Sequence, residues 1–297
     1  MTRRGAWPAG RIEGVMSVKI AIIGMGHVGR AMHGLFREHA EIVTYDTCGP
    51  GDYPEVELAT CDVGIICVDT PMGEDGACDI SHVRDAVTRL PIGTVLLKST
   101  VPPGTTEHLA RVTGKQICFS PEYVGESSYH ELLWPGGPRD VPFVILGGEP
   151  KVRRRFIDLL QPVFGPAKTY FQCSAREAEI IKYMENAYLA AKVSFVNEFR
   201  RICEAFGADW HTVREGWLLD PRVEPAHTAA FASAPGFGGK CLPKDLNAII
   251  RAASDAGYRP LLLREILRSN ARFRSEELVH AAVREEPGSM DSAICRS

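Results

Sequence analysis

The chain has 297 residues, of which 45% are hydrophobic and 24% are charged, and its formal net charge is −3. This length allows two domains of ordinary size, and the small net charge gives no sign of a surface for nucleic acid or for an anionic membrane. No apolar run approaches the roughly 20 residues that cross a bilayer. We therefore expect a globular protein with no membrane or nucleic-acid partner.

Two features of the chain bear on its compartment. Residues 1–17 contain three arginines but no apolar core, so they do not resemble a secretory signal, and we expect a disordered extension there. The nine cysteines are scattered and form no Cys-x-x-Cys pair, and the histidines form no His-x-x-x-His cluster. Neither a disulfide framework nor a metal site is therefore expected, and a reducing cytoplasm is the expected location.

Short apolar runs alternate with helical patterns between residues 18 and 165. The runs are VKIAIIG, EIVTYD, DVGIICVDT, GTVLLKST, KQICFSPE and PFVILGG, and we expect the last of them to complete the sheet. Strands separated by helices pair in parallel through crossover connections. The pattern predicts an α/β domain with a Rossmann-type, doubly wound sheet over this range.

The chain from residue 166 to 275 is predicted to form an all-helical domain. Between about 175 and 206, apolar residues recur three or four positions apart, which is typical of one long central helix with a buried apolar face. They are Ile181, Met184, Tyr188, Ala191, Phe195, Phe199, Ile202 and Phe206. Asp209 is suited to cap the next helix. Two more helices are predicted after it, and residues 276–297 are expected to form a tail.

The first predicted strand leads directly into a G-x-G-x-x-G motif at Gly24, Gly26 and Gly29. Glycines there permit a tight turn and a close approach of the backbone to a pyrophosphate, whose charge the following helix N-terminus favours. Asp46 ends the second strand, where a carboxylate binds ribose hydroxyls and repels a 2′-phosphate. The motif predicts NAD as cofactor, with contacts from Gly24, Met25, Gly26, His27, Val28, Gly29 and Asp46.

Two further features indicate chemistry only in combination. Lys182 and Asn186 lie four residues apart, on one face of the long predicted helix, and Cys241 follows a glycine-rich turn. We expect the Lys182 and Asn186 side chains at the rim of the buried apolar face. Taken singly, such a pair is often only solvated, and most cysteines are structural.

The order of the motifs is more specific than any one of them. The dinucleotide motif is followed by KSTVPPGT, FSPEYVGE, KYMEN and PGFGGKCLPKD. In this order the chain resembles the nucleotide-sugar dehydrogenase family, which includes UDP-glucose 6-dehydrogenase and the GDP-mannose and UDP-N-acetylmannosamine enzymes. The resemblance extends from about Val18 to Arg274, and its most specific element is the glycine-rich loop that ends in Cys-x-x-Lys-Asp.

The resemblance implies a four-electron oxidation of a primary alcohol to a carboxylate with two NAD. Cys241 would add to the aldehyde, and loss of a second hydride would leave a thioester that water cleaves. Lys182 and Asn186 would stabilise the oxyanion, and Asp245 would act with Lys182 in proton transfer. Glu122 would be the base for hydrolysis of the thioester.

The resemblance also implies contacts to the cofactor and the substrate. Thr100 would position water near the nicotinamide. Further cofactor contacts would come from Thr70, Pro71, Glu126 and Lys244. Beside Lys182 and Asn186, the substrate would be bound by Tyr123, Arg222, Phe237, Gly238 and Gly239, with Arg222 reaching across the interface of a homodimer.

Two of the chain's departures from the family pattern bear on the substrate. After Arg274 only 23 residues follow, fewer than the roughly 50 that a domain needs, so we expect the C-terminal nucleotide-binding domain of the family to be absent. Between Arg222 and the glycine loop, the segment VEPAHTAAFASA is longer and less basic than its family counterpart. A smaller nucleotide or nucleotide-sugar substrate, or a partner that supplies the missing half, would accommodate both departures.

Two other functions share much of this pattern. A two-electron dehydrogenase of the 3-hydroxyacid or 6-phosphogluconate type would have the same two domains and the lysine–asparagine pair, but would not need Cys241. A non-catalytic NAD-binding regulator would share the fold alone.

Overall fold

The structure, a computed structural model, describes residues 18–123 and 134–285. The chain divides into two compact units. The first holds the chain up to Glu185 together with Asn247–Ala256, and the second holds Asn186–Leu246 and the chain from Gly257 onwards. The extension predicted for residues 1–17, and the end of the predicted tail from residue 286, lie outside the described residues.

The first unit contains a seven-stranded sheet in the order β2-β1-β3-β4-β5-β6-β7. All neighbouring strands pair in parallel except β5 and β6, so the predicted doubly wound α/β fold is confirmed. The strands are β1 Lys19–Ile23, β2 Glu41–Tyr45, β3 Val63–Ile66, β4 Thr94–Leu97, β5 Gln116–Phe119, β6 Phe143–Gly147 and β7 Thr169–Cys173.

The last strand and the antiparallel pair both differ from the prediction. β7 lies at the sheet edge with most of its side chains exposed, so it lacks the continuous apolar run by which the other strands were recognised. The expected domain boundary at residue 165 therefore falls before the final strand of the sheet. β5 and β6 meet through the pair Phe119 and Gly147, and an antiparallel pair needs no crossover connection.

Helices cover both faces of the sheet, as a doubly wound fold requires. On one face, Met32 and Leu35 of the first helix pack with Phe156 of the fifth. On the other face, Val83 and Leu109 pack against the same sheet. Burial on both sides explains why the central strands are apolar throughout. The helices are α1 His27–Phe36, α2 Glu55–Ala59, α3 Ser81–Arg89, α4 Thr105–Thr113 and α5 Pro150–Phe164.

The long predicted helix is present as α6, Ala175–Phe206, but its predicted burial is wrong. Most of the apolar stripe is exposed: Met184 is 73% exposed, and Tyr188, Phe195, Phe199, Ile202 and Phe206 are also exposed. Lys182 and Asn186, expected at a rim, are themselves buried. Apolar periodicity marks a face that avoids water, but it does not say whether that face packs inside this chain or against another molecule.

The second unit contains the later part of α6 and three further helices. Asp209 accepts a hydrogen bond from the backbone N–H of Thr212 at 2.7 Å, which confirms the predicted cap. Val196, Cys203, Trp210 and Ala230 form a small core. The helices are α7 Trp210–Trp217, α8 Leu242–Asp255, which continues into the first unit, and α9 Leu261–Glu285. Because α9 extends to Glu285, the predicted tail is helical at its start.

No helix among the described residues combines the length and the apolar character that crossing a membrane requires.

A buried carboxylate anchors the first turns of α6 within the first unit. Glu179 is fully buried and accepts hydrogen bonds from the backbone N–H groups of Gly104 at 2.5 Å and Thr106 at 2.8 Å. These donors belong to the N-terminus of α4, which has no other side-chain cap. Burial raises the pKa of Glu179 to about 6, and the hydrogen bonds from Thr106 and Gly104 oppose that rise.

We expect the Glu179 carboxyl group to make stability pH-dependent in a defined direction. Because its pKa lies above the usual 4.5, the native state binds this proton more tightly than the unfolded state, so ionisation costs stability as pH rises from about 4.5 to above 6. The unfolding free energy of the wild type relative to Glu179→Gln should therefore fall by about 2 kcal/mol between pH 4 and pH 7.5. Urea unfolding across that range measures the difference.

The exposed Glu107, which pairs with Arg176, supplies a matched control for this prediction. The wild type relative to Glu107→Gln should show no comparable decline. A difference between wild type and Glu179→Gln that stays constant with pH would contradict the assignment.

Candidate active site

The glycine motif forms a tight turn between β1 and α1. Gly24 has φ +89°, and a Cβ on it would lie 2.8 Å from the backbone of Cys67 and Val68, just after β3. A Cβ on Gly29 would lie 1.9 Å from the carbonyl oxygen of Gly24. Both positions therefore require glycine, and the turn lies where the strand order reverses between β2-β1 and β3, the usual ligand position of such sheets.

The space around this turn fits a dinucleotide. A Cβ on Gly26 would meet nothing within 4 Å, so the backbone is open to a close-lying ligand. Gly26 is also the N-cap of α1, where no side chain accepts a hydrogen bond from the first-turn N–H groups and no acidic residue follows. Those donors are suited to a pyrophosphate.

Asp46 completes the nucleotide end of the site. Its carboxylate accepts hydrogen bonds from the backbone N–H groups of Met25 at 2.6 Å and Cys48 at 2.8 Å. These bonds, first that from Met25, lower the pKa of Asp46, so the side chain is ionised at neutral pH. Each carboxylate oxygen keeps a lone pair that can accept from a ribose hydroxyl.

The segments after β3 and β4 are joined by hydrogen bonds. The hydroxyl of Thr70 donates to the carbonyl oxygen of Thr100 at 2.9 Å, and the hydroxyl of Ser99 donates to the carbonyl oxygen of Val68 at 2.6 Å. The carbonyl oxygen of Pro71 accepts from Asp79 N–H at 2.8 Å. The structure thus brings the predicted residues Thr70 and Thr100 together at the carboxyl ends of neighbouring strands.

A lysine that the sequence analysis did not assign lies beside Glu122. Lys98 follows β4 directly, and its Nζ lies 3.3 Å from Glu122 Oε2 and donates to the carbonyl oxygen of Pro121 at 3.2 Å. The other oxygen of Glu122 accepts from the backbone N–H of Tyr123 at 2.8 Å. Both charged side chains are buried. A lysine at the end of an apolar strand was the signal that could have identified Lys98, since lysine is almost never buried without a partner.

Lys182 lies near the same segment in the first unit. Its Nζ is 5.0 Å from the centre of the Tyr123 ring and 3.4 Å from Glu185 Oε2. Tyr123 is itself buried, which raises the pKa of its hydroxyl, so this group is neutral at physiological pH. Lys182 therefore lies beside Tyr123, which is the residue that follows Glu122 in the chain.

The second unit joins Asn186 to the segment that follows Cys241. The Asn186 amide donates to Asp245 Oδ2 at 2.5 Å, and Lys244 Nζ lies 2.6 Å from Asp245 Oδ1. Asn186 and Asp245 are buried, whereas Cys241 is exposed directly before the first residue of α8. Three predicted residues thus form one network, and Cys241 occupies a helix N-terminus, which favours a negative charge.

Two asparagines that the sequence analysis missed fix the glycine-rich loop. Asn270 of α9 accepts from Phe237 N–H at 2.7 Å and donates to the Phe237 carbonyl oxygen at 2.9 Å, while Asn197 of α6 accepts from Gly236 N–H at 3.0 Å. Gly236 has φ +75°, and a Cβ on it would lie 2.4 Å from Asn270 Oδ1. Phe237 is therefore buried by its loop, and a role in substrate binding through Phe237, Gly238 and Gly239 stays a prediction.

Arg222 is not brought to any other predicted site residue within its unit. Its guanidinium is 88% exposed and pairs with Asp220 two residues earlier. Glu126, predicted to contact the cofactor, lies outside the described residues. Among the residues that the structure describes, no three histidine, cysteine, aspartate or glutamate side chains are grouped as metal ligands.

The fold and the site together define a class of protein: an NAD-binding α/β unit joined to a helical unit that carries a polar network beside an exposed cysteine. The model of the UDP-glucose/GDP-mannose dehydrogenase family, NAD binding domain, matches residues 52–136, and that of the family's central domain matches residues 176–272. The chain belongs to the UDP-glucose/GDP-mannose dehydrogenase family, as the resemblance predicted.

Individual relatives agree with this assignment. A UDP-glucose 6-dehydrogenase of Pseudomonas aeruginosa is 35% identical over 72% of this chain and 49% of its own length. A UDP-glucose 6-dehydrogenase of Bacillus subtilis is 34% identical over 73% of this chain and 50% of its own length. The structure of a UDP-glucose dehydrogenase from Pyrobaculum islandicum matches with a TM-score of 0.74 and 27% identity, covering 89% of this chain and 70% of that one. The chain thus spans about half the length of these curated relatives.

We expect Gly26→Ala to weaken NAD binding without disturbing the fold. Gly26 has φ −67°, which alanine adopts freely, and its Cβ would meet no protein atom, so the melting temperature should be unchanged. The new methyl group would occupy the space through which a pyrophosphate approaches, and NAD affinity should fall about tenfold or more. Calorimetric titration with NAD measures the effect.

Gly34 in the same helix provides the control, since a Cβ there also meets nothing within 4 Å. Gly34→Ala should bind NAD like the wild type. Equal NAD affinity in the wild type and Gly26→Ala would show that the dinucleotide does not lie on this turn.

Proposed function

We propose that this protein is an NAD-dependent dehydrogenase that oxidises the primary alcohol of a nucleotide-activated sugar, or of a smaller nucleotide analogue, to a carboxylate through a covalent intermediate on Cys241. The observation that carries this proposal is the buried network of Asn186, Asp245 and Lys244 immediately after an exposed cysteine at the N-terminus of α8. A two-electron alcohol oxidation would need no such cysteine.

The proposed reaction begins with removal of the alcohol proton. Lys182 and Asn186 lie four residues apart on α6, and in our proposal they hold the developing oxyanion by charge and by hydrogen bonding. Asp245 orients the Asn186 amide, since the amide donates directly to it, and is the acceptor for the proton that leaves through this network. Bound NAD, held by the glycine turn and Asp46, supplies the acceptor for each hydride.

The second oxidation depends on Cys241. The aldehyde carbon has no second hydride to give until a nucleophile adds to it, and the Cys241 thiolate forms a C–S bond there to give a thiohemiacetal. The position of Cys241 at the N-terminus of α8 favours the thiolate, because a helix N-terminus carries a partial positive charge. Loss of the second hydride leaves a thioester, which a water molecule cleaves with Glu122 as base.

The identity of the substrate follows from the family alone. Two relatives are named UDP-glucose 6-dehydrogenases, and we propose a nucleotide sugar on that basis. The segment between Arg222 and the glycine loop, longer than in the family, is where a different substrate would be accommodated. No described cysteine is part of a disulfide, which supports a cytoplasmic location.

The number of NADH molecules formed per substrate tests the proposal. With NAD in excess, the wild type should form two NADH per substrate consumed on one member of a panel of UDP-, GDP- and TDP-sugars and nucleoside monophosphates. Cys241→Ser should lose this activity by a factor of about 10³ or more, since a hydroxyl is a much weaker nucleophile. Absorbance of NADH measures both.

The other exposed cysteine among the described residues, Cys48, is the matched control, and Cys48→Ser should retain activity. One NADH per substrate with an active Cys241→Ser variant would establish the two-electron alternative. Binding of NAD without turnover of any substrate would favour the regulatory alternative.

We also propose that the protein forms a homodimer through the exposed apolar stripe of α6. Tyr188, Phe195, Phe199, Ile202 and Phe206 lie on this stripe in the second unit, and Phe195 packs on Phe199 with ring centres 4.7 Å apart. A contiguous apolar surface of this kind is covered by another molecule in most soluble proteins. A homodimer supports the proposed role of Arg222, whose exposed side chain is directed to no other predicted site residue of its own unit.

We expect Phe199→Asp to convert a dimer into a monomer. The new carboxylate would lie within the apolar interface, where burying an unpaired charge is unfavourable. Sedimentation equilibrium should show twice the monomer mass for the wild type and the monomer mass for the variant. Val213→Asp, at an equally exposed apolar position on α7, should remain dimeric. A monomeric wild type would contradict the proposal.

A further inference from the structure

Lys98 carries a buried charge that the proposed mechanism does not use. Its side chain is 8% exposed and that of Glu122 is 12% exposed, so both charges are largely removed from water. Burial of an ammonium group is costly unless a partner compensates it. The groups that Lys98 contacts must therefore compensate its buried charge.

The contacts of Lys98 fix Glu122 in one orientation. Lys98 Nζ lies 3.3 Å from Glu122 Oε2 and donates to the Pro121 carbonyl oxygen, so it holds both the carboxylate and the backbone just before it. Tyr123 N–H donates to Glu122 Oε1. Each carboxylate oxygen thus faces a different donor group. Lys98 and Glu122 also line a pocket together with Ser120, Tyr123 and Phe143.

Lys115, which is half-buried, shows what a purely structural role looks like. Its ammonium group donates to the carbonyl oxygens of Val87 and Leu90, and among the described residues it contacts no carboxylate. Lys98 differs because it lies beside a carboxylate that can act as a base. Lys98 is therefore placed to hold the Glu122 carboxylate as well as the backbone at Pro121.

We propose that Lys98 is a positioning residue for hydrolysis of the thioester: it holds the Glu122 carboxylate in the orientation in which Glu122 can activate water. This inference rests on the proposed function, in which Glu122 is the hydrolytic base. Lys98 acts on one step only, the step after both hydrides have been transferred.

Hydrolysis of the thioester needs no reactant other than water. The oxygen of a water molecule bonds to the acyl carbon of the thioester while Glu122 takes one of its protons. The C–S bond then breaks, and its electron pair stays on Cys241 Sγ as a thiolate. The product leaves as a carboxylic acid, which loses its proton to solvent. Lys98 takes no proton in this sequence; it fixes the base.

The test separates hydride transfer from hydrolysis. Wild type, Lys98→Gln and Glu122→Gln are mixed with NAD and each member of the same substrate panel, quenched in acid at short times, and analysed by intact mass for acyl-enzyme and by absorbance for NADH. Lys98→Gln should form a rapid burst of two NADH per subunit and accumulate acyl-enzyme, with hydrolysis slowed about 10- to 100-fold. Lys98→Arg, which keeps the charge, should recover most of the hydrolysis rate.

A double-mutant cycle distinguishes positioning from a general structural effect. If Lys98 acts through Glu122, adding Lys98→Gln to Glu122→Gln should slow hydrolysis no further. Lys98→Gln alone leaves the Glu122 charge without its lysine, and the double variant removes that charge, so we expect the double variant to fold even if Lys98→Gln does not. In that case the hydrolysis rate of Lys98→Arg is compared with that of the wild type. Lys115→Gln is the matched control and should change the melting temperature without accumulating acyl-enzyme.

The outcomes separate this inference from the function on which it rests. Acyl-enzyme in Glu122→Gln but wild-type hydrolysis in Lys98→Gln overturns the role of Lys98 and leaves the proposed function intact. Additive effects of the two substitutions also overturn it. The absence of acyl-enzyme in every variant, with one NADH per substrate or none, overturns the proposed function and this inference with it.

Discussion

The buried polar face of α6 is the constraint on which the positions of the site residues depend. Buried polar groups usually need a partner, and three on this helix find theirs in a distant segment of the same unit. Glu179 accepts from the N-terminus of α4, Asn186 donates to Asp245, and Asn197 accepts from Gly236. Because a helix fixes the spacing of its side chains, the bonds of Asn186 and Asn197 set the positions of their two partner segments within the second unit.

The three buried carboxylates of this arrangement have different surroundings. Glu179 accepts only from backbone N–H groups at a helix N-terminus, and burial raises its pKa. Glu122 and Asp245, in contrast, each lie beside a lysine, Lys98 at 3.3 Å and Lys244 at 2.6 Å. The two carboxylates to which we assign proton transfer are thus the two that have a cation beside them, while the anchoring carboxylate has none.

The glycine-rich loop shows how a short segment is made rigid without a core of its own. Asn270 bonds both the N–H and the carbonyl oxygen of Phe237, as a neighbouring strand would, and Gly236 leaves the space that this amide needs. The loop ends at Cys241, so the same contacts determine where α8 begins. Neither Asn197 nor Asn270 belongs to a recognisable motif, because each acts through the backbone of a distant segment.

Local patterns in the sequence determined the doubly wound sheet, the glycine turn with Asp46, the cap at Asp209 and the family, since each depends on residues close together in the chain. They did not reveal β7, whose edge position leaves it without an apolar run. They also placed the Tyr188 and Phe199 stripe inside, although it is exposed, and put Lys182 and Asn186 at its rim, although they are buried. Only the tertiary structure decided these matters, together with the pairing of Lys98 with Glu122. The physical reason is that burial and charge pairing depend on which distant segments pack together, and periodicity along one helix or strand does not contain that information.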